Sequence, residues 1–296
     1  MDPVHQPVLV DEVLSFLEPA GREAVLIDAT LGEGGHSDCF LQRFPSLRII
    51  GVDADATMIA RASDRLSTYG ERVQFVNAWF DEYFDHTPLR PDRVLMDLGV
   101  SMFHFTRSGR GFSFQTDEPL DMRLDPTGPR SAADLVNDLD EGDLADLIYR
   151  YGEERLSRRI AARLVDARST GRIETTAQLA DVVRRSVPSS YRHGRIHPAT
   201  RTFQALRIAV NGELDRITRA IPCVLAAIAP QGRVGIISFH SLEDRIVKHT
   251  FRDAAAAGGF AVLTKKPVIP TEAESRDNPA ARSAKLRVIE RTGEAA

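Results

Sequence analysis

Cysteine is almost absent from this sequence: Cys39 and Cys223 are the only two among 296 residues. Two distant cysteines do not have the paired spacing of a zinc site, and they fit a reducing compartment. The N-terminus has no basic stretch followed by an apolar one, so no signal peptide is predicted. No apolar run approaches the roughly 20 residues needed to cross a bilayer. We therefore expect a cytoplasmic protein, and we predict no metal site.

An excess of positive charge is missing as well. The formal net charge is −4, so composition alone makes no case for a nucleic-acid partner, and any basic surface must be local. Hydrophobic residues make up 43% and charged residues 27%, which is ordinary for a globular protein. The length allows one large domain or two modest ones.

Short apolar runs alternate with amphipathic stretches in the first hundred residues. We predict strands at 24–27, 47–52, 73–76 and 94–98, with helices at 10–17, 37–44 and 56–69. This alternation is typical of βαβ units and a parallel sheet. The pattern resumes near the C-terminus, with strands predicted at 232–239, 260–264 and 286–290 and a helix at 242–257.

The middle of the chain has only helical patterns. They cover 132–139, 141–149, 153–168 and 176–187, and a long helix at 198–229 is expected to bend at Pro222. We therefore predict an α/β fold with a Rossmann-like, doubly wound and mostly parallel sheet, formed by residues 1–115 and 205–296. An all-helical insertion at 116–204 interrupts it.

A glycine-rich turn follows the first predicted strand. Gly32, Gly34 and Gly35 allow left-handed backbone and close approach of a ligand, although an isolated glycine cluster is as often a tight surface turn. Asp53 ends the second predicted strand about 20 residues further on, where a carboxylate can bind ribose hydroxyls. This spacing favours a nucleoside cofactor.

The turn suits S-adenosylmethionine better than a dinucleotide. Ser37 stands where the dinucleotide motif has its last glycine, and Asp28 and Glu33 would repel a pyrophosphate. S-adenosylmethionine carries a sulfonium and an ammonium group, which an acidic cradle attracts. Phe80, after the third strand, is interpreted either as an adenine contact or as core.

Local positive charge is concentrated in the predicted insertion. No acidic residue occurs between Asp181 and Glu213, whereas six arginines do: Arg184, Arg185, Arg192, Arg195, Arg201 and Arg207. In an acidic chain this run indicates phosphate binding, with a solvated helix face as the alternative. A second acid-free stretch at 98–116 adds Arg107 and Arg110, and its phenylalanines could stack a base or pack in the core.

Long sequence blocks resemble the RsmH family, also called MraW. The blocks are Asp28-Ala-Thr-Leu-Gly-Glu-Gly-Gly-His-Ser37, Asp97-Leu-Gly-Val-Ser101, Arg110-Gly-Phe-Ser-Phe114, Leu120-Asp-Met-Arg123, Tyr151-Gly-Glu-Glu-Arg155, His197-Pro-Ala-Thr-Arg-Thr-Phe-Gln-Ala-Leu-Arg207, Ile237-Ser-Phe-His-Ser-Leu-Glu-Asp-Arg-Ile-Val-Lys248 and Arg282-Ser-Ala-Lys-Leu-Arg287. The resemblance runs from His5 to about Arg291. It implies a class I methyltransferase domain that uses S-adenosylmethionine to methylate the exocyclic N4 amino group of a cytosine in the decoding region of small-subunit rRNA. The implied partner is this rRNA or the 30S subunit, with a homodimer left open.

The resemblance also implies a set of donor contacts. They come from Gly34, Gly35, His36, Asp53, Phe80 and Asp97. The family usually reads Leu-Gly-Val-Ser-Ser-Pro-Gln after Asp97, and this chain has Met102-Phe103-His104 in place of Ser-Pro-Gln. His104 can still make one hydrogen bond at the position of the donor-binding glutamine, and it adds a titratable group.

The predicted reaction needs a proton acceptor beside a weakly nucleophilic amino group. Asp97 and Ser101, just past the fourth strand, are the candidates. Methylation at carbon 5 would need a cysteine nucleophile, and Cys223 instead lies in an apolar helical pattern typical of core packing. Asp121 and the Glu153-Glu154-Arg155 segment are interpreted either as catalytic residues or as structural ion pairs, and the structural interpretation is favoured.

The segment after the fifth strand is suggestive but less specific. His240 is predicted to line the base pocket or contact RNA, and Ser241 to cap the next helix with Asp244. Two other functions stay open. One is a non-catalytic RNA-binding or ribosome-assembly factor that keeps the fold, and the other is a small-molecule methyltransferase, which the basic insertion disfavours.

Overall fold

The chain forms two compact units. The computed structural model describes residues 6–21, 23–194 and 196–293. Residues Met1–Ser101 and Leu214–Ala296 belong to one unit, called here the sheet unit, and Met102–Glu213 form the other, the helical unit. The predicted insertion boundaries, 116 and 204, both fall inside the helical unit.

Seven strands form one sheet in the described part of the sheet unit. They are β1 (Val25–Asp28), β2 (Arg48–Asp53), β3 (Val73–Asn77), β4 (Arg93–Asp97), β5 (Arg233–Ser238), β6 (Phe260–Val262) and β7 (Lys285–Arg291). Their order is β3-β2-β1-β4-β5-β7-β6. The first five strands pair in parallel, and β7 runs antiparallel to β5 and β6. The predicted Rossmann-like, mostly parallel sheet is confirmed.

The described part of the chain also contains fourteen α-helices. In chain order they are α1 (Val10–Phe16), α2 (Gly35–Arg43), α3 (Ala56–Leu66), α4 (Phe80–His86), α5 (Met102–Thr106), α6 (Ala132–Asp138), α7 (Glu141–Gly152), α8 (Ser157–Arg168), α9 (Thr176–Ser186), α10 (Ser189–Arg192), α11 (Thr200–Asn211), α12 (Glu213–Ala227), α13 (Ser241–Ala257) and α14 (Glu272–Asp277). None of these described helices combines the length and apolar character that a membrane span requires.

The two faces of the sheet bury separate hydrophobic clusters. Leu26 and Leu95 point into one cluster, whereas Ile27, Val94 and Met96 point into the other. This follows from the strand backbone, which sends successive side chains to opposite faces. Strands buried on both faces read as continuous apolar runs, which is why the sequence located them.

The prediction of one helix from 198 to 229, bent at Pro222, is wrong. The helix ends at Asn211, and Gly212 takes left-handed backbone (φ 60°) before α12 begins. Glycine is favoured there because it carries no Cβ penalty at a helix C-terminus. Pro222 lies inside α12.

Helices α7 and α11 approach closely at Gly152 in the helical unit. A Cβ added there would lie 2.5 Å from the carbonyl oxygen of Arg201, a distance that backbone atoms cannot relieve cheaply. Gly142, near the start of α7, is exposed, and a Cβ there would meet nothing nearer than 3.4 Å. A side chain can therefore be accommodated at Gly142 but not at Gly152, although both glycines lie in α7.

Gly152→Ala is expected to lower the free energy of unfolding by about 1–3 kcal/mol, because overpacking forces the two helices apart. Gly142→Ala, the matched control, should leave stability unchanged or raise it by up to about 1 kcal/mol, since alanine is the better helix former. Chemical denaturation measures both. Equal effects of the two substitutions would contradict the close approach of α7 and α11.

Candidate functional site

The strand order of the sheet reverses between β1 and β4, and both strands end in an aspartate. Asp28 ends β1 and lies opposite Leu95 in the register, so Asp97 ends β4 two residues further along. Ligands of open α/β sheets bind at the carboxyl ends of strands beside such a reversal. The two acids therefore mark the candidate site.

The glycine turn connects β1 to α2 next to these acids. Gly34 has φ 76° and is the residue that precedes α2, and a Cβ there would lie 3.0 Å from Leu66 Cδ1. Its left-handed conformation therefore favours glycine, and a side chain there would also press on Leu66. The turn is tied to β2 because the Gly32 N–H donates to Asp53 Oδ2 at 2.8 Å.

Asp53 is oriented by backbone donors at both of its oxygens. Besides the bond from Gly32, its Oδ1 accepts from the Asp55 N–H at 2.9 Å. A carboxylate has about four acceptor positions. These two bonds fix the plane of the Asp53 carboxylate at the end of β2, as a ribose-binding acid requires.

Asp28 is buried, with 2% of its surface exposed. The Ser37 hydroxyl donates to Asp28 Oδ2 at 2.7 Å. Burial raises the pKa of Asp28 to about 6; the hydrogen bonds from Ser37 and the Thr30 backbone oppose this rise, and the charge of Asp53 adds to it. Ser37, which replaces the last glycine of a dinucleotide motif, thus holds an acid whose pKa is raised.

Asp97 is the central acid of this edge. Its N–H donates to Thr30 Oγ1 at 2.6 Å, and its Oδ2 lies 3.6 Å from His36 Nδ1. Its Oδ1 is buried and has no hydrogen-bond partner among the described residues. Burial, followed by the charges of Asp28 and Glu243, raises the pKa of Asp97 well above its ordinary value.

His36 connects Asp97 to the start of the chain. Its Nε2 lies 2.8 Å from the Val8 carbonyl oxygen. A carbonyl only accepts, so Nε2 carries a proton and donates, and the neutral ring would present Nδ1 toward Asp97 as an acceptor. The Nδ1 atom and Asp97 Oδ2, 3.6 Å apart, are therefore neighbours just beyond hydrogen-bond distance. The Val8 contact could not be predicted from the sequence, because a backbone carbonyl is present in every residue type.

His240, and not Ser241, caps α13. The Glu243 N–H donates to His240 Nδ1 at 3.3 Å, while Glu243 Oε2 accepts from the Phe239 and His240 N–H groups at 2.8 and 3.2 Å. The prediction of a Ser241 cap is wrong by one residue because the helix already includes Ser241. This reciprocal capping box buries Glu243 near Asp97.

The remaining predicted residues of the sheet unit lie at element ends. Phe80 begins α4 and packs, partly buried, against the core cluster of Ile27 and Met96. Ser101 follows β4 and is the last residue of the first segment of the sheet unit, where it is partly buried. The packing of Phe80 fits its interpretation as core and leaves its role as an adenine contact a prediction.

His104 and Arg110 lie in the helical unit. His104, in α5, is 3% exposed, and its ring centroid is 5.1 Å from that of Phe112. Arg110 Nη1 donates to the carbonyl oxygens of Arg123 and Leu124 at 3.0 and 2.8 Å. Arg110 thus fixes the local backbone, and the same segment holds the predicted ion pair of Asp121 with Arg123.

The described arginines of the basic run differ in how far their side chains are exposed. Arg184 and Arg185 share Asp181 as their ion-pair partner, and their side chains are 51% and 73% exposed. Arg201 is 38% exposed. Arg207, in contrast, is 13% exposed and makes two hydrogen bonds of 2.9 Å to the carboxylate of Glu213. Arg195 lies outside the described residues.

The sheet order, the glycine turn after β1 and the acids at the strand ends define a Rossmann-like domain of the class I methyltransferase type. The chain belongs to the MraW methylase family, whose model matches residues 2–292. The resemblance noted in the sequence is thereby confirmed.

Relatives of similar length are close in sequence. The chain is 52% identical over 307 residues to the ribosomal RNA small subunit methyltransferase H of Treponema denticola, with 98% of each chain covered. It is 50% identical over 287 residues to the protein of the same name from Synechococcus elongatus, covering 97% of this chain and 94% of the relative. The Leptospira interrogans protein of that name is 45% identical over 304 residues, with 99% and 90% covered.

The raised pKa of Asp28 predicts a pH-dependent stability. A carboxyl with a folded-state pKa of about 6, against about 3.9 when unfolded, stabilises the fold below pH 4 and loses that contribution as the pH rises through 6. Asp28→Asn removes this loss because an amide does not ionise. Its oxygen can still accept the hydrogen bond from the Ser37 hydroxyl. The unfolding free energy of the variant minus that of the wild type should rise by roughly 2–3 kcal/mol between pH 4 and 7.

The exposed Asp64→Asn in α3 is the control for this titration. Its difference from the wild type should stay flat over the same range, measured by urea unfolding at each pH. A flat difference for Asp28→Asn would contradict the raised pKa.

Proposed function

We propose that this protein transfers the methyl group of S-adenosylmethionine to the N4 amino group of a cytosine in the decoding region of small-subunit rRNA. The observation that carries the proposal is the near-full-length identity of about 50% to relatives named for small-subunit rRNA methylation. The product would be N4-methylcytosine, and an rRNA substrate would place the reaction in the cytoplasm.

The acids at the carboxyl edge of the sheet support S-adenosylmethionine as the donor. The buried Oδ1 of Asp97 is an acceptor without a partner among the described residues, and a bound ammonium or sulfonium group would offset the cost of burying it. The donor carries no phosphate, so Asp28 and Asp53 beside the turn do not repel it. The residues present therefore fit this group.

The residues proposed to hold the donor come from four neighbouring elements. Asp53 would accept the ribose hydroxyls, the backbone at Gly34 and Gly35 would allow close approach, and Phe80 would flank the adenine. His36 and Asp97 would face the charged end of the donor. His104 occupies the position of the family's glutamine. A contact between His104 and the donor stays a prediction.

Bound S-adenosylmethionine supplies an electrophilic methyl group. The cytosine N4 nitrogen must lose a proton as it gains a bond to carbon, and the Asp97 carboxylate is proposed to accept that proton. A raised pKa makes Asp97 a better base near neutral pH than an exposed aspartate. Ser101, just past β4, is proposed to orient the amino group.

The helical unit is proposed to recognise the RNA. Arg184, Arg185 and Arg201 are exposed enough to contact phosphates, and Arg195 belongs to the same run. Arg110 and Arg207 would act by holding the backbone that presents this surface, and His240 by ordering the start of α13. The full substrate is proposed to be the 30S subunit or its rRNA, bound by a monomer or a homodimer.

Methyl transfer from labelled donor to small subunits that lack the modification tests the function. Mass spectrometry of the rRNA should find one labelled cytosine methylated at N4. Asp97→Asn should lower single-turnover transfer about 100-fold or more, whereas Asp85→Asn, at an exposed acid of α4, should not. Absence of label from rRNA would leave a non-catalytic RNA-binding factor as the better account.

RNA binding and protein stability together separate the exposed Arg184 and Arg185 from the ion-paired Arg207. Replacing Arg184 and Arg185 with glutamine should weaken RNA binding and reduce the slope of log K against log salt by about 1–2, because each phosphate contact releases counterions. Arg207→Gln should lower the unfolding free energy by roughly 3–5 kcal/mol, because it leaves the poorly exposed Glu213 carboxylate unpaired. A slope unchanged by the double substitution would remove these arginines from the RNA surface.

A further inference from the structure

Three aromatic rings stack in the helical unit beside the basic run. Phe203, in α11, is buried, and its ring meets that of Phe114 edge-on, with centroids 5.0 Å apart. The Phe114 ring in turn stacks on His197, with centroids 4.5 Å apart and planes 28° from parallel. The buried ring thus fixes the middle ring, which supports the histidine.

His197 is the exposed end of this stack. The side chain is exposed, and because Phe114 covers one face of its imidazole, the exposure belongs largely to the other face and the edge. The Ala199 N–H donates to His197 Nδ1 at 3.2 Å, which fixes the ring orientation. A ring held in this way loses little entropy when a second planar group stacks on it.

The imidazole is also neutral at physiological pH. Partial burial, together with the nearby charge of Arg184, lowers the pKa of His197 below its ordinary 6.5. The Nδ1 atom accepts from Ala199, so Nε2 carries the proton of the neutral ring. The platform therefore offers a flat aromatic face with one donor at its edge.

The surrounding charge identifies the chemistry of the partner. Arg184 lies close enough to influence His197, and Arg201 follows four residues later in the same acid-free run, 38% exposed. Exposed aromatic rings between cationic side chains are the arrangement that binds single-stranded nucleic acid, through base stacking and phosphate contacts. An acidic peptide would use the arginines but not the stacked ring.

We propose that His197, supported by Phe114 and Phe203, stacks on an unpaired nucleobase of the RNA substrate. The proposal rests on the proposed function and adds a base-binding site to it. Stacking is tolerant of base identity, so this site would hold the RNA in place rather than select the methylated cytosine.

RNA binding by substituted proteins and substituted RNAs tests the platform. The probe is a synthetic RNA of the decoding region, compared with versions that carry a single abasic nucleotide at each position in turn. His197→Ala should weaken binding of the intact RNA about 5- to 100-fold. One abasic RNA should bind the wild type more weakly by a similar factor and should lose nothing further with His197→Ala.

Two more variants separate stacking from folding and charge. His197→Phe keeps an aromatic face and should bind within about threefold of the wild type, and His193→Ala, at an exposed histidine of the same run, should do the same. Equal losses with His197→Phe and His197→Ala, or additive losses at every abasic position, would overturn the platform while methylation of rRNA by the wild type persists. A wild type that binds no RNA would instead overturn the proposed function.

Discussion

The burial of carboxyl groups at the carboxyl ends of β1 and β4, nearly complete at Asp28 and partial at Asp97, is the constraint on which the site depends. Asp28 and Asp97 would each be costly to bury as isolated charges. The fold limits that cost through hydroxyl and backbone donors at Asp28, through His36 beside Asp97, and through the raised pKa of both groups. The same burial would make Asp97 an effective base and both acids a cradle for a cationic donor.

The turns that follow β1 and β5 are shaped by the hydrogen bonds that hold the acidic side chains of this site. The glycine turn must fold back tightly for Gly32 to reach Asp53 and for Ser37 to reach Asp28. The chain after β5 must turn at once into α13, so a histidine caps the helix and a buried glutamate completes the box. Backbone N–H groups therefore orient the carboxylates of Asp53 and Glu243. Because these donors carry no net charge, the carboxylates keep the site acidic.

The sheet was readable from the sequence because its strands are buried on both faces and appear as apolar runs separated by glycine and acid. The strand-end acids followed from their position after those runs. The helix break at Gly212 was missed because the helical pattern continues across it. That break matters for Arg207, since residues six apart on one continuous helix face different ways, and only the turn at Gly212 lets Arg207 pair with Glu213. Ion-pair partners of this kind depend on tertiary geometry, which composition does not contain.

Titration of Asp97 in the folded protein tests the central claim most directly. Aspartate labelled with ¹³C at the side-chain carboxyl gives a carbonyl signal that shifts on ionisation, and Asp97→Asn identifies which signal belongs to Asp97. The account predicts that this signal titrates well above pH 4 in the absence of donor and RNA. A midpoint near that of an exposed aspartate, about 3.9, would contradict it, because Asp97 would then be an ordinary surface acid and a poor base.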